Sequence, residues 1–192
     1  MPDLPSIPSA TLDRLIHEGS DAWEEFRLLA KERHHLFIPC DHRGVYDELR
    51  KLRGRAATFV EFGSAAGVVT IMADLLGFEA YGIEIEPWLV ERSAELAEQF
   101  GSSAVFVEGT FVAPEFQEEV ELLSGDFVTP TGGADAFQEL GLELSDFDLV
   151  FAYPWPGDED WLQELVRRHA GATTLLLTYD VTEGFQVVGA GD

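Results

Sequence analysis

Cysteine is almost missing from this chain. Cys40 is the only one in 192 residues, so no intrachain disulfide can form, and a reducing, cytoplasmic setting suits it. Lysine is nearly as scarce: Lys31 and Lys51 stand alone, and the other bases are arginines. Against 36 acids there are 12 bases, a formal charge of −24, whose field repels nucleic-acid phosphates and anionic membranes. Nucleic acid and membrane are therefore not expected as partners. A basic protein, a cationic small molecule or a neutral metabolite is. No apolar run reaches the roughly 18 residues of a membrane-crossing helix. The opening "MPDLPSIPSATLDR" lacks the basic and apolar regions of a secretory signal. No internal repeat or low-complexity segment appears.

What is present suits one globular domain with a sizeable core, since hydrophobic residues make up 46% and aromatics 11% of the chain. From Ser9 to about His34, Leu12, Leu15, Ile16, Trp23, Phe26, Leu29 and Ala30 recur at helical spacing. "LFIPCDHRG" breaks that pattern at Pro39, and "VYDELRKLRG" reads as a short helix stopped by Gly54. Strand and helix then alternate. "AATFVEF", "EAYGIEI", "SAVFVEG", "FDLVFAY" and "ATTLLLTY" read as five strands. Helices are expected over 66–76, 86–100 with Pro87 in the first turn, 114–123 and 158–169. The acids at Asp158, Glu159 and Asp160 read as a solvated first turn. Five short, continuously apolar strands separated by helices indicate an α/β fold, a mainly parallel sheet with helices on both faces. Ligands of such a sheet lie outside the carboxyl ends of its strands.

That is where "FVEFGSAAGVVT" falls. Two ligands compete for this turn. A dinucleotide wants G-x-G-x-x-G and a pyrophosphate on the helix N-terminus. Started at Gly63, that pattern meets Ala65 and Val68, and the carboxylate of Glu61 would repel the phosphates. The S-adenosylmethionine turn, acid-x-Gly-x-Gly-x-Gly, matches Glu61, Gly63 and Gly67 and misses at Ala65. Its acid complements the α-ammonium and sulfonium of that ligand, and the small residues let the backbone approach. In "YGIEIEPWLVERS", Glu84 ends the second strand and can accept both ribose hydroxyl protons, a device that NAD sites share. The two motifs together favour S-adenosylmethionine.

On these residues the chain resembles class I, Rossmann-like, S-adenosylmethionine-dependent methyltransferases over about residues 36–180. "FVEFGSAAG", "YGIEIEPWLV", "VFVEGTF" and "DLVFAYPWP" are similar to the family's first four motifs. "GIEIEPWLVERS", preceded by "FIPCDHRGVYDEL", is similar to small protein-lysine methyltransferases. The resemblance implies a three-layer fold whose residues 1–55 form a helical segment packing on or capping the cofactor site. Residues 56–192 would form the Rossmann-like domain, the whole being one compact unit. It implies that Glu61, Gly63, Ser64, Ala65 and Gly67 surround the methionine part. Glu84 would hold the ribose, Ile85 would lie against adenine, and Gly109 and Thr110 would meet the adenine amino group, where the family commonly has Asp. "Ala152-Tyr153-Pro154-Trp155" keeps a proline and an aromatic of the family's fourth motif but not its polar residue. Tyr153 and Trp155 would wall a cationic or amine acceptor, on a protein or a small molecule.

His35 is a further candidate base. "HHLFIPCDH" gathers histidines, Cys40 and Asp41, but its spacing fits no standard zinc pattern, and no metal is expected. Only 12 residues follow Asp180 and supply one strand at most. The C-terminal end of the sheet should be shortened, or completed by a second chain in a homodimer. A non-catalytic cofactor-binding module is the alternative function.

Overall fold

A computed structural model describes residues 5–30, 40–123 and 129–191. Six strands form one sheet in the order β3-β2-β1-β4-β5-β6. They are β1 (Thr58–Phe62), β2 (Glu79–Glu84), β3 (Val105–Glu108), β4 (Leu149–Ala152), β5 (Leu175–Asp180) and β6 (Gly184–Gly189). The first five run parallel, and β6 pairs antiparallel with β5 along its whole length. So "GFQVVGAG" supplies the one strand expected of it. All four residues of β4 are buried, as are four of the five in β1. Central strands covered on both faces need such unbroken apolar runs.

Two cores lie on the two faces. On one, α1 (Ser9–Ala30), α2 (His42–Leu52), α3 (Val68–Leu75) and α4 (Pro87–Phe100) pack around Phe59, Ile71, Met72 and Leu76. On the other, α5 (Gln117–Leu123), α6 (Ala136–Leu140) and α7 (Glu159–His169) share a core that includes Phe116, Val120, Ala136, Val150 and Leu165. The pattern of small residues decides how close these layers come. A side chain at Gly19 of α1 would fall 2.1 Å from Val68 Cγ2, so α1 can lie directly on α3 only because that residue is glycine. Asp148 fastens the sheet from below, its carboxylate accepting from the Ala57 and Thr58 amides at 2.7 and 3.1 Å.

The chain winds outward from β1 through β2 to β3, then crosses back to the other side of β1 at β4. The carboxyl ends of β1 and β4 therefore face a crevice. The short helix α6 and the 3-10 turn Leu144–Asp146 were not legible in the sequence, since neither spans enough residues to show a period.

Candidate functional site

The turn after β1 is held by its neighbour strand. The amides of Gly63 and Ser64 both donate to the Ile83 carbonyl of β2 at 2.9 Å. Gly63, Ala65 and Gly67 all sit in the left-handed region, with φ of 72°, 47° and 76°. Only glycine adopts that region without cost, so Ala65 is strained where the motif has glycine. The two glycines then separate. A side chain on Gly63 would meet nothing within 4 Å, because it would enter open space. One on Gly67 would meet Phe106 at 2.7 Å and Ser93 Cβ at 2.8 Å. Gly67 lines neither cavity of the crevice; it lets α3 start against β3 and α4. Its assignment as a ligand contact is corrected accordingly: Gly67 serves packing.

Two adjoining cavities, of about 260 and 140 Å³, open above the strand ends and share Trp23, Phe62, Gly63, Ala65 and Tyr153. Together they reach the lower end of the range for small-ligand sites, about 300–1,000 Å³. The larger is bounded by Glu84, Ile85, Gly109, Thr110, Tyr153 and Trp155, so the structure brings these expected site residues together. The smaller is bounded by Glu61, Ser64, Cys40 and His42. His35 lies outside the described residues, and among those described no cluster of metal-binding side chains occurs.

Both carboxylates of the site are buried and already partly satisfied. Glu61 accepts from the Thr70 amide and hydroxyl at 2.9 and 2.5 Å, both on one oxygen. Burial nevertheless pushes its pKa from 4.5 to about 8, with the Glu84 charge adding a little. Glu84 accepts from the amides of Ala65 at 2.8 Å, Ile85 at 2.8 Å and Glu86 at 3.1 Å. It thereby ties the β2 end to the β1 turn, while burial raises its pKa too. The Ser64 hydroxyl is buried without a partner, a polar atom left for a ligand.

Two positions behave differently from their sequence reading. The Thr110 hydroxyl accepts from the Val112 amide at 3.1 Å, and the Thr110 amide donates to the Ala134 carbonyl at 2.8 Å, so its polar groups serve the local turn. Asp158 is no solvated first-turn acid. It is 2% exposed, lines the larger cavity and accepts from the Thr129 hydroxyl at 2.5 Å. Composition could not show this, because the same residue type before a helix is usually wet. Trp23 and Phe26 of α1, whose spacing read only as core, also line the larger cavity, with Phe26 stacked on Trp88 at 5.9 Å.

Comparison with solved structures decides what architecture this is. An RNA methyltransferase from Salinibacter ruber, solved with S-adenosyl-L-homocysteine, superposes with a TM-score of 0.52 at 20% identity, covering 74% of this chain and 78% of that one. The O-methyltransferase TomG from Streptomyces achromogenes, solved with S-adenosylmethionine, gives 0.54 at 16% identity, over 93% and 68%. The chain has the class I methyltransferase fold. Within that methyltransferase fold, the order β3-β2-β1-β4-β5 puts Glu61 and Glu84 at adjacent strand ends. The ATP synthase lysine N-methyltransferase of Mus musculus is 31% identical over 125 residues, 62% of this chain and 49% of the mouse protein. The chain thus spans about half the length of that relative. No family model matches the chain.

Proposed function

We propose that this chain is an S-adenosylmethionine-dependent methyltransferase acting on an amine, foremost a lysine side chain of a protein. One observation carries the reading: the charge of the crevice. Glu84, Glu86, Asp158 and Asp180 line the larger cavity and Glu24 and Glu61 the smaller, while no lysine or arginine lines either among the described residues. A dinucleotide pyrophosphate would enter that crevice with no cation to meet it. A sulfonium, an α-ammonium and an amine acceptor all suit it. The likeness to the mouse lysine methyltransferase supports the acceptor class. The formal charge of −24 argues against a nucleic-acid acceptor. No helix among the described residues is long and apolar enough to cross a membrane, and the single cysteine suits a cytoplasmic setting.

The residues present fit the cofactor. Ser64 offers an unpartnered hydroxyl, Gly63 opens space beside the β1 end, and the Glu84 carboxylate faces the cavity with lone pairs beyond those given to backbone amides. When bound, S-adenosylmethionine supplies an electrophilic methyl group for direct displacement by the acceptor. The chain's part is to hold and to exclude. Glu84 holds the ribose, Ile85 lies along the adenine, and α1 roofs the crevice with Trp23 and Phe26. Tyr153 and Trp155 wall the acceptor end and strip water from an incoming amine. Tyr153 keeps its proton at neutral pH, since burial and then Tyr179 push its phenol above the usual value. The amine's proton therefore leaves to solvent or to Glu61, which titrates near neutrality.

The test is calorimetry followed by transfer. S-adenosylhomocysteine should bind while NAD and NADP stay inert. Radiolabelled cofactor should mark basic proteins or lysine peptides and leave DNA and RNA blank. Tyr153→Ala and Trp155→Ala should abolish transfer with S-adenosylhomocysteine affinity nearly intact. Binding of NAD in its place refutes the cofactor. Tight cofactor binding with no transfer to any acceptor pool would make the chain a non-catalytic module.

A further inference from the structure

On the reading that the larger cavity holds S-adenosylmethionine, one of its walls still has no ligand contact. It is built from Thr110, Phe111, Thr129, Asp158, Trp161 and Leu162. The polar groups of Thr110 are spent on its own turn. Asp158 and Trp161 are not spent. Asp158 stands at the N-cap of α7 yet caps no amide, and its carboxylate accepts from the Thr129 hydroxyl. A carboxylate that is 2% exposed and has one hydroxyl donor still has capacity for another. Trp161 is 3% exposed, and its Nε1–H is buried with no acceptor at all. A buried donor left unmade costs about 1–3 kcal/mol, so natural proteins seldom keep one without a use. The two residues are three apart at the start of one helix and share a face. The indole plane is fixed as well: it lies 9° from the Phe111 ring, which stacks on Phe62 at 4.4 Å.

This wall therefore presents an acceptor beside a donor. An ammonium ion has only donors; it would answer Asp158 and leave Trp161 unmade. The Watson–Crick edge of adenine carries the N6 amino donor next to the N1 acceptor, and answers both. We propose that Asp158 and Trp161 read the adenine edge of the cofactor. Asp158 accepts from N6, Trp161 Nε1 donates to N1, and the Thr129 hydroxyl holds the carboxylate in place. The start of α7 thus supplies the charged contact that Thr110, at the end of β3, does not.

The experiment titrates the full chain with S-adenosylhomocysteine and with its inosine analogue, whose O6 acceptor and N1–H donor reverse the pattern. Wild type should prefer the adenosine form by on the order of tenfold or more, the size of a hydrogen bond to a charged group. Asp158→Asn and Trp161→Phe should each weaken the adenosine form and narrow the preference, Trp161→Phe without removing the ring from the core. A residue with only a structural role would weaken both ligands alike, and an unchanged preference in both variants overturns the assignment. So does Asp158→Asn with full S-adenosylhomocysteine affinity but no transfer to a lysine peptide, which would place Asp158 against the acceptor. If wild type binds neither ligand, the cofactor reading fails and this assignment with it. Binding with an unaltered preference sinks this assignment alone.

Discussion

Glu61 offers the sharpest perturbation, because a buried carboxylate must obtain its charge from somewhere. Its pKa stands at about 8 against an ordinary 4.5, raised first by burial and held down in part by the Thr70 hydroxyl and amide. At 1.36 kcal/mol per unit, that displacement is worth on the order of 5 kcal/mol between the protonated and ionised forms. The sign follows from which state holds the proton more tightly. The folded chain does, so this contribution to stability is complete below 4.5 and is lost as pH rises through about 8. Glu61→Gln keeps the shape and an acceptor for Thr70 but cannot ionise. The variant should lose less stability than wild type between pH 5 and 9, with the other titrating groups, Glu84 among them, common to both. Urea unfolding across that range reads the difference.

The ligand arm of the same experiment concerns function. A cation seated beside Glu61 pulls its proton off, so S-adenosylmethionine binding should release up to one proton below pH 8. Affinity should then climb by up to about tenfold per pH unit toward that value. Calorimetry in buffers of different ionisation enthalpy counts the proton, and Glu61→Gln should bring the count close to zero. Superimposable stability curves for the two proteins, together with no proton release in wild type, would refute the reasoning.

Two further substitutions check the site's construction. Gly67→Ala should cost about 3 kcal/mol, from left-handed strain and from overpacking against Phe106 and Ser93, and lower Tm by on the order of 10 °C. Gly63→Ala should cost only about 1–2 kcal/mol of stability while weakening S-adenosylhomocysteine, since its added methyl points into open cavity; reversed effects at the two glycines would mean that the turn is misread. Glu84→Gln should weaken S-adenosylhomocysteine by about 2 kcal/mol and Glu86→Gln by clearly less, measured by titration. Equal losses would move the ribose contact off the β2 end.

Residue order alone carries the alternation of elements, the sheet's parallel character and the identity of its acidic strand ends. Those features are local: an unbroken apolar run must be a doubly covered strand, Pro87 belongs in a helix's first turn, and Glu61 and Glu84 end their strands wherever the sheet is placed. It also locates Tyr153 and Trp155 after β4, where the crevice opens. Which glycine serves the ligand emerges only in three dimensions. Gly63 and Gly67 look alike along the chain, but β3 and α4 crowd one and leave the other open. The same holds for Asp158, whose neighbours in sequence are solvated acids. Thr129 reaches it only because the chain crosses back over β1 to reach β4, and that crossing folds the connection against the start of α7. Burial, and hence the charge a carboxylate can carry, is a property of what packs around a residue, and distant segments supply most of that packing.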